Sequence, residues 1–179
     1  KLEQVGPYRF VRPSPQAVWS PRLDQSVWKK VDATFNRFSG GDGKWTVHSK
    51  SLPKKWMIEQ GPVKLNISLT DFGHLGLFPE QDANWDKLHK LISESKGRDE
   101  TQVLNLFAYT GGSTLACATA GAKVVHVDAS KTSVAWAREN AEASGAANAP
   151  VRWIVDDVQK FVEREVRRGN KYHGIILDP

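Results

Sequence analysis

The 179-residue chain has the composition of an ordinary globular protein, with 40% apolar and 25% charged residues. Its 25 Lys and Arg against 20 Asp and Glu give a net charge of +5, which mildly favours a polyanionic partner. A single cysteine, Cys117, excludes an intrachain disulfide and the usual zinc frameworks. The sequence shows neither a transmembrane-length apolar run nor a signal segment, so we expect a cytoplasmic protein with no membrane partner and no metal.

The sequence divides into two regions of different composition. Residues 1 to 70 hold four of the seven tryptophans and six of the nine prolines, whereas residues 83 to 179 are rich in alanine. Such a shift marks a domain boundary. We therefore expect a small β-rich domain over residues 1–70, a connecting segment with a helix over 71–97, and a second domain over 98–179.

The first region contains one helical pattern and one strand pattern. Behind a cap at Asp24, apolar residues recur at helical spacing until Gly40-Gly41, at Val27, Trp28, Val31, Phe35 and Phe38. Apolar and polar residues then alternate from Val63 to Thr70, which predicts a half-buried strand. A turn at Gln60-Gly61 would make Trp56–Glu59 its hairpin partner.

The second region alternates helices with strands. Asp82 opens a first helix and Gly97 closes it. Four strands are then predicted, over Gln102–Phe107, Lys123–Val127, Val151–Val155 and Gly174–Leu177. The helices between them are predicted over Ser113–Ala120, Lys131–Ala143 and from Val158 to Gly169. This alternation predicts an α/β, Rossmann-like parallel sheet with right-handed crossovers. Because the last strand would be an exposed apolar edge, we expect the protein to continue beyond Pro179 by on the order of 100 residues.

A glycine-containing turn follows the first of these strands. From Asn105 to Ser113 the sequence reads NLFAYTGGS and then enters a helix. Glycines at a strand-to-helix turn let the backbone approach a ligand and present free N–H groups to it. The dinucleotide pattern G-x-G-x-x-G is absent, because Gly111-Gly112 has no third glycine at the required offset. The alternative interpretation is a tight turn that needs glycine for its own geometry.

Carboxylates follow the next three strands. Asp128 lies 23 residues after Asn105, near the spacing of about 20 at which an acid binds ribose hydroxyls. Asp156-Asp157 follows the third strand, where Asp157 would accept a hydrogen bond from an adenine amino group, and Asp178 follows the fourth. Four consecutive strands thus bring a turn or a carboxylate to the same sheet edge. Helix capping is the alternative for the acids after the second and third strands.

These strand ends resemble, in order and spacing, the first four motifs of the class I S-adenosylmethionine-dependent methyltransferases. The sequence FAYTGG at 107–112 and the pair Asp178-Pro179 resemble the branch that contains bacterial 23S rRNA cytosine-C5 methyltransferases of the RlmI type. The match covers about residues 70 to 179. Asn105 departs from the pattern, since motif I commonly has an acidic residue there, and this weakens any contact with the ammonium group of the ligand.

The resemblance implies an S-adenosylmethionine site. The turn from Phe107 to Ser113 would hold the methionine moiety, Asp128 the ribose hydroxyls, Ser130 and Asp157 the adenine side, and Asp178 would face the transferred methyl group. The segment FPEQDAN at 78–84 resembles one that precedes the core of related RNA base methylases, which would bring Gln81 to the cofactor. The alternative interpretation of Gln81 is a polar residue beside a helix N-terminus. The predicted cofactor-binding residues are Gln81, Asn105, Phe107, Ala108, Tyr109, Thr110, Gly111, Gly112, Ser113, Asp128, Ser130, Asp156, Asp157 and Asp178.

Two reactive or charged features have structural explanations. Cys117 lies in mid-helix between Ala116 and Ala118, so we predict a buried structural thiol rather than a nucleophile. In the resembling enzymes the catalytic cysteine follows motif IV, so the nucleophile is expected beyond Pro179. Basic residues over 160–171 are interrupted by Glu163 and Glu165, which favours a solvated helix face over a phosphate-binding surface.

Three functions are consistent with the sequence. The leading hypothesis is a methyltransferase that acts on an RNA base, with cytosine C5 of rRNA favoured. The second is a nucleotide- or NAD-binding oxidoreductase on the same scaffold, against which the missing third glycine argues. The third is a non-catalytic RNA-binding module.

Overall fold

The computed structural model describes residues 1–39 and 42–179. The strands within them are β1 (Leu2–Val5), β2 (Tyr8–Val11), β3 (Ala33–Arg37), β4 (Gly43–Val47), β5 (Lys55–Gln60), β6 (Val63–Ser68), β7 (Gln102–Leu106), β8 (Lys123–Asp128), β9 (Val151–Val155) and β10 (Gly174–Leu177). The α-helices are α1 (Gln25–Lys29), α2 (Asp82–Ser93), α3 (Gly112–Thr119), α4 (Lys131–Ala143) and α5 (Val158–Arg168). Short 3₁₀ turns occupy Pro79–Gln81 and Arg98–Glu100. No helix in these ranges has the length and apolar character needed to cross a membrane.

The described residues divide into two compact units. Unit 1 comprises Lys1–Ile58 and Ile67–Gly76, and unit 2 comprises Glu59–Asn66 and Leu77–Pro179. Strands β5 and β6 pair as a two-stranded sheet, which confirms the predicted hairpin, and Gly61 in its turn has a φ of 52°. The domain boundaries expected from composition, near residues 70 and 97, stay a prediction.

Unit 1 contains a four-stranded sheet in the order β1-β2-β3-β4. The pairs β1/β2 and β3/β4 are antiparallel, whereas β2 and β3 run parallel. Its core is aromatic: Phe10 is completely buried and stacks on Trp56 at a centroid distance of 5.6 Å. Trp45 packs edge-on against Phe10 at 5.9 Å and lies 5.2 Å from Phe35. These packed aromatic rings therefore form the hydrophobic core of unit 1.

The helix predicted behind Asp24 is much shorter than expected. Asp24 does cap it, since its carboxylate accepts from the Ser26 N–H at 2.8 Å, but α1 ends at Lys29. Phe35 belongs to β3, where Ala33 and Phe35 face inward with strand periodicity. The apolar spacing of 31–38 matched a helix by coincidence, and the predicted stop at Gly40-Gly41 lies outside the described residues.

Unit 2 contains a parallel four-stranded sheet in the order β10-β7-β8-β9, which confirms the predicted α/β fold. Alternate residues of β7 face opposite layers of helices. Val103 packs with Ile92 of α2 and Cys117 of α3, whereas Leu104 packs with Phe161 of α5. Helix α4 and strands β9 and β10 have the predicted bounds. Helix α2 ends at Ser93, four residues before Gly97, which instead adopts a φ of 71° before the second 3₁₀ turn.

Candidate functional site

A cleft lies in unit 2 at the carboxyl end of β7. Among the described residues its lining consists of Leu77, Phe78, Gln81, Trp85, Asn105, Phe107, Ala108, Tyr109, Thr110, Gly111, Gly112, Ser113 and Asp178. Ten of the predicted cofactor-binding residues are therefore brought together. The cleft has a volume of about 60 Å³, well below the roughly 300–1,000 Å³ typical of ligand sites. A nucleoside-sized ligand would consequently lie mostly across the open strand ends.

The turn after β7 has an unusual backbone. Phe107 and Tyr109 adopt φ angles of 54° and 48°, in the left-handed region that bulky residues rarely occupy. Each such residue costs about 1–3 kcal/mol and persists only where its surroundings fix it. The Ala108 N–H donates to the carbonyl oxygen of Val127 at 3.0 Å, and the Tyr109 N–H donates to Oδ2 of Asp128 at 2.8 Å. The end of β8 thus holds the turn in its strained shape.

The first turn of α3 is open to a ligand. Its N-cap is Gly111, with a φ of 90°, and no side chain in the described part of the chain caps the helix. The first N–H groups of a helix have no partner within the helix, and they attract anions. The ring of Trp85 lies against this turn, and its Nε1–H donates to Oγ of Ser113 at 3.2 Å. A Cβ atom on Gly112 would lie only 2.4 Å from Cζ2 of Trp85, so glycine is required there.

A buried polar chain lies beneath the turn. The Asn105 amide donates from Nδ2 to Oγ1 of Thr114 at 2.8 Å, and that oxygen lies 2.9 Å from Nδ1 of His126. Burial, with a smaller contribution from the Arg138 charge, lowers the pKa of His126 to about 3. The imidazole is therefore neutral at ordinary pH. Asn105 is 2% exposed and is positioned by this chain.

Asn140 on α4 is a site residue that sequence reasoning missed. It is completely buried, its Nδ2 donates to the Thr110 carbonyl at 2.9 Å, and its Oδ1 accepts from the Asn66 N–H at 2.8 Å. The side chain thus fixes a carbonyl of the cleft turn from outside the motif. Its only sequence signal is an amide within an alanine-rich helix.

The acids after β8 and β9 lie at the same sheet edge as the cleft but outside its described lining. Oδ1 of Asp128 accepts from the Ser130 N–H at 2.8 Å. Ser130 caps α4 through the Ser133 N–H, as predicted, and Asp157 caps α5 through the Lys160 N–H at 2.9 Å. The strand ends are joined by the Asp156 N–H, which donates to the Asp128 carbonyl at 3.1 Å.

Several of the predicted side chains are engaged by neighbours within unit 2. The Asp156 carboxylate forms an ion pair with Arg164. Arg168 pairs with Glu165 at 3.0 Å, but Glu165 is only 3% exposed, so the prediction of a solvated helix face is wrong at this residue. Oε1 of Gln81 accepts from the Asn84 amide at 2.8 Å at the start of α2. Each of these contacts stabilises a helix end or a surface turn.

Cys117 is completely buried in α3, which confirms the prediction of a structural thiol. Desolvation raises its pKa to about 12. The nucleophilic thiolate is therefore scarce at ordinary pH. Across residues 1–39 and 42–179, no group of three or more His, Cys, Asp or Glu side chains has an arrangement that could hold a metal ion.

Comparisons with known proteins agree with this geometry. No protein-family model matches the chain. The solved structure of the SAM-dependent methyltransferase from Agrobacterium tumefaciens is 43% identical, with a TM-score of 0.93 over 99% of this chain and 56% of its own. A Streptococcus mutans structure assigned as a SAM-dependent methyltransferase is 25% identical, with a TM-score of 0.71 over 87% of this chain and 40% of its own. Another structure with the same figures, also assigned as a methyltransferase, is complexed with SAH.

These likenesses place the chain in the class I S-adenosylmethionine-dependent methyltransferases, as the motifs predicted. Within this class, its sequence is similar to the branch of ribosomal RNA large subunit methyltransferase I. The Aeromonas salmonicida protein of that name is 30% identical over 156 residues, 86% of this chain. The chain spans 38% of the length of that relative.

Proposed function

We propose that this chain binds S-adenosylmethionine as part of a cytoplasmic methyltransferase that modifies an RNA base, with cytosine C5 of rRNA the favoured acceptor. The observation that carries the proposal is the juxtaposition, on adjacent strands, of an uncapped helix and a carboxylate. The open N-terminus of α3 follows β7, and Asp128 ends β8. An anion and a sugar diol are the two groups that such an edge binds.

The cleft residues fit the parts of this cofactor. The free N–H groups of α3 would bind the methionine carboxylate, and the buried Asn105 would approach the ammonium group through its amide oxygen. Asp128 would accept from the ribose hydroxyls with the lone pairs that Tyr109 and Ser130 leave unused. When bound, the cofactor supplies a methyl group on a sulfonium. Asp178, which lines the cleft, would face that methyl group.

The adenine side is assigned to the end of β9. Oδ1 of Asp157 accepts from the Lys160 N–H, which leaves Oδ2 for an adenine amino group. Asp156 precedes Asp157 in the chain, Ser130 follows the end of β8, and Gln81 lines the cleft. These assignments follow from the motif resemblance, and they place the adenosine along the strand ends beside the cleft.

An RNA acceptor is supported by the names of the curated relatives and by the net charge of +5. The relatives at 30% to 36% identity include proteins named ribosomal RNA large subunit methyltransferase I and K/L. Cytosine C5 follows from the motif resemblance. The buried Cys117 is unsuited to activate the base, because its thiol is shielded and its pKa is raised.

Calorimetry tests the cofactor site. We expect the chain to bind S-adenosylhomocysteine (SAH) but not NAD. Asp128→Ala should weaken SAH binding about 10- to 150-fold, because hydrogen bonds to a charged group contribute about 1.5–3 kcal/mol. Asp99→Ala is the matched control, because Asp99 is an exposed acid in the 3₁₀ turn before the opposite end of β7. Unchanged SAH affinity in Asp128→Ala would remove the ribose assignment, and NAD binding would favour the oxidoreductase.

Transfer of a methyl group distinguishes an enzyme from a binding module. The chain, or the longer protein that contains it, is incubated with S-adenosylmethionine carrying a tritiated methyl group and with unmodified 23S rRNA. Mass spectrometry of the nucleosides then identifies the product, and 5-methylcytidine is expected. Binding of SAH together with a product on another base would retain the class and reject the cytosine assignment.

A further inference from the structure

We propose that a groove in unit 1 binds a single-stranded segment of RNA, with a base stacked on Trp19 and a phosphate paired with Arg22. The proposal rests on the proposed RNA substrate and adds to it a second contact surface, separate from the cofactor cleft. Residues from the first strand and from the irregular segment before α1 form the groove, which has a volume of about 680 Å³. That volume lies within the range of about 300–1,000 Å³ typical of ligand sites.

The groove presents aromatic surface that the fold of unit 1 does not use. Trp19 is 69% exposed and Leu23 is 54% exposed, and both line the groove. In contrast, Trp45 and Trp56 pack into the aromatic core. Exposed tryptophan is a stacking platform for nucleic-acid bases, because every base has a planar face.

Trp28 adds a second and independent observation. It lines the same groove, and its Nε1–H is buried with no hydrogen-bond acceptor among residues 1–39 and 42–179. Buried donors in folded proteins are nearly always paired, so this indole N–H is available to an acceptor that an RNA strand brings into the groove. A phosphate oxygen or a base carbonyl would accept from this N–H once the Trp28 ring turns towards the groove.

The charge of the groove selects a polyanion. No Asp or Glu is found among its described lining residues, and Arg22 makes no ion pair with any described residue. Lys1, the other cation in the lining, pairs with Glu3 at 3.0 Å. Residues 1–39 contain seven Lys or Arg and three Asp or Glu, a net charge of +4 out of the +5 of the whole chain. An apolar peptide would use the tryptophans but would leave this charge unmatched.

Fluorescence anisotropy with a labelled oligocytidine RNA of about ten nucleotides, within the site sizes of single-strand binders, tests the groove. Trp19→Ala should weaken RNA binding about 5- to 150-fold, the equivalent of losing one stacked base. Trp19→Phe should restore most of the affinity. Arg22→Gln should reduce the slope of log K against log salt by about 0.7, the value for one phosphate contact on a single strand.

Two matched variants outside the groove serve as controls. Phe38→Ala removes an aromatic side chain that is 57% exposed, and Arg37→Gln removes an exposed cation at the end of β3. Both should leave RNA affinity and its salt slope unchanged. Urea unfolding of each variant verifies that the exposed substitutions leave the fold intact.

The proposal is overturned if the wild-type chain does not bind the oligonucleotide, or if groove and control variants lose affinity equally. Titration of the same preparations with SAH separates this result from failure of the proposed function. SAH binding without RNA binding rejects the groove and retains the cofactor site. RNA binding that depends on Trp19, without SAH binding, retains the groove and rejects the cofactor site.

Discussion

The interiors of the two units are built from different side chains. In unit 1, aromatic rings pack edge-on and face-on, and the ring centroid of Phe10 lies 5.9 Å from that of Trp45 and 5.6 Å from that of Trp56. In unit 2, helix α3 packs on the sheet through small residues, and Ala116 and Cys117 are completely buried. Large rings fill space with few residues and fix their neighbours by shape. Small residues instead let a helix approach strands closely.

This difference explains where the cleft can form. The start of α3 has to lie beside the end of β7 if its N–H groups are to reach a ligand held at the strand ends. Gly112 against the ring of Trp85 allows that approach. Unit 1 should therefore be most sensitive to removal of volume, and unit 2 to addition of volume at the cleft.

The largest effect is expected for Phe10→Ala in unit 1. Truncation of a buried aromatic residue leaves a cavity and typically costs about 3–5 kcal/mol. Phe10 contacts both Trp45 and Trp56, so the loss should appear in urea unfolding followed by tryptophan fluorescence. Phe38→Ala, at an exposed ring, should change the free energy of unfolding by less than about 0.5 kcal/mol. Similar losses in the two variants would show that the aromatic core is not what stabilises this unit.

A smaller loss is expected for Gly112→Ala in unit 2. The added Cβ would lie 2.4 Å from the buried Trp85 ring, and such overpacking costs about 1–3 kcal/mol. Gly174→Ala is the control, because a Cβ there meets nothing within 4 Å. Chemical denaturation compares the two variants, and SAH titration reports whether the cleft changes shape. If Gly112→Ala were as stable as the control, the close approach of α3 and Trp85 would be refuted.

The third prediction concerns pH and the buried chain beneath the turn. Since the pKa of His126 is lowered to about 3 in the folded state, the unfolded state takes up a proton below about pH 6.5 that the folded state refuses. The free energy of unfolding should fall as pH decreases from 6.5 towards 3, by at most about 1.4 kcal/mol per pH unit. Above about pH 6.5 the His126 imidazole is neutral in both the folded and the unfolded state, so it no longer makes the free energy of unfolding depend on pH.

Urea unfolding of the wild type and His126→Gln between pH 4.5 and 6.5 separates the effect of His126 on the free energy of unfolding from the effect of the carboxylates, because both proteins have the same carboxylates. The slope against pH should be shallower in His126→Gln. His48→Gln, at an exposed histidine of unit 1, is the control. Equal slopes in the wild type and His126→Gln would exclude a neutral buried imidazole.

The sequence predicted unit 2 more accurately than unit 1, for physical reasons. In unit 2 local signals agree with the fold: Ser130 and Asp157 cap helices, and β9 and β10 are short apolar runs between turns. In unit 1 the spacing of apolar residues over 31–38 fits both the period of a helix and the period of a strand. Pairing of β3 with β2 and β4 decides between the two, and a local pattern does not contain that pairing.

The cleft shows the same division between local and tertiary information. The turn and Asp178, which line it, could be found because the carboxyl ends of parallel strands share an edge. The contacts of Asn140 and His126 could not, because each joins segments far apart in the chain. The left-handed backbone of Phe107 likewise depends on the hydrogen bonds that the Ala108 and Tyr109 N–H groups donate to β8, and no residue-type preference predicts it.

The two backbone contacts of Asp128 have a consequence for ligand choice. A carboxylate has about four lone-pair positions. The N–H groups of Tyr109 and Ser130 occupy one position on each oxygen, so one remains on each. Two vacant acceptors, a fixed distance apart on one rigid group, match the two hydroxyls of a vicinal diol. A deoxy sugar would leave one of them unfilled, so the backbone contacts after β7 and after β8 make this carboxylate selective for a sugar that keeps both hydroxyls.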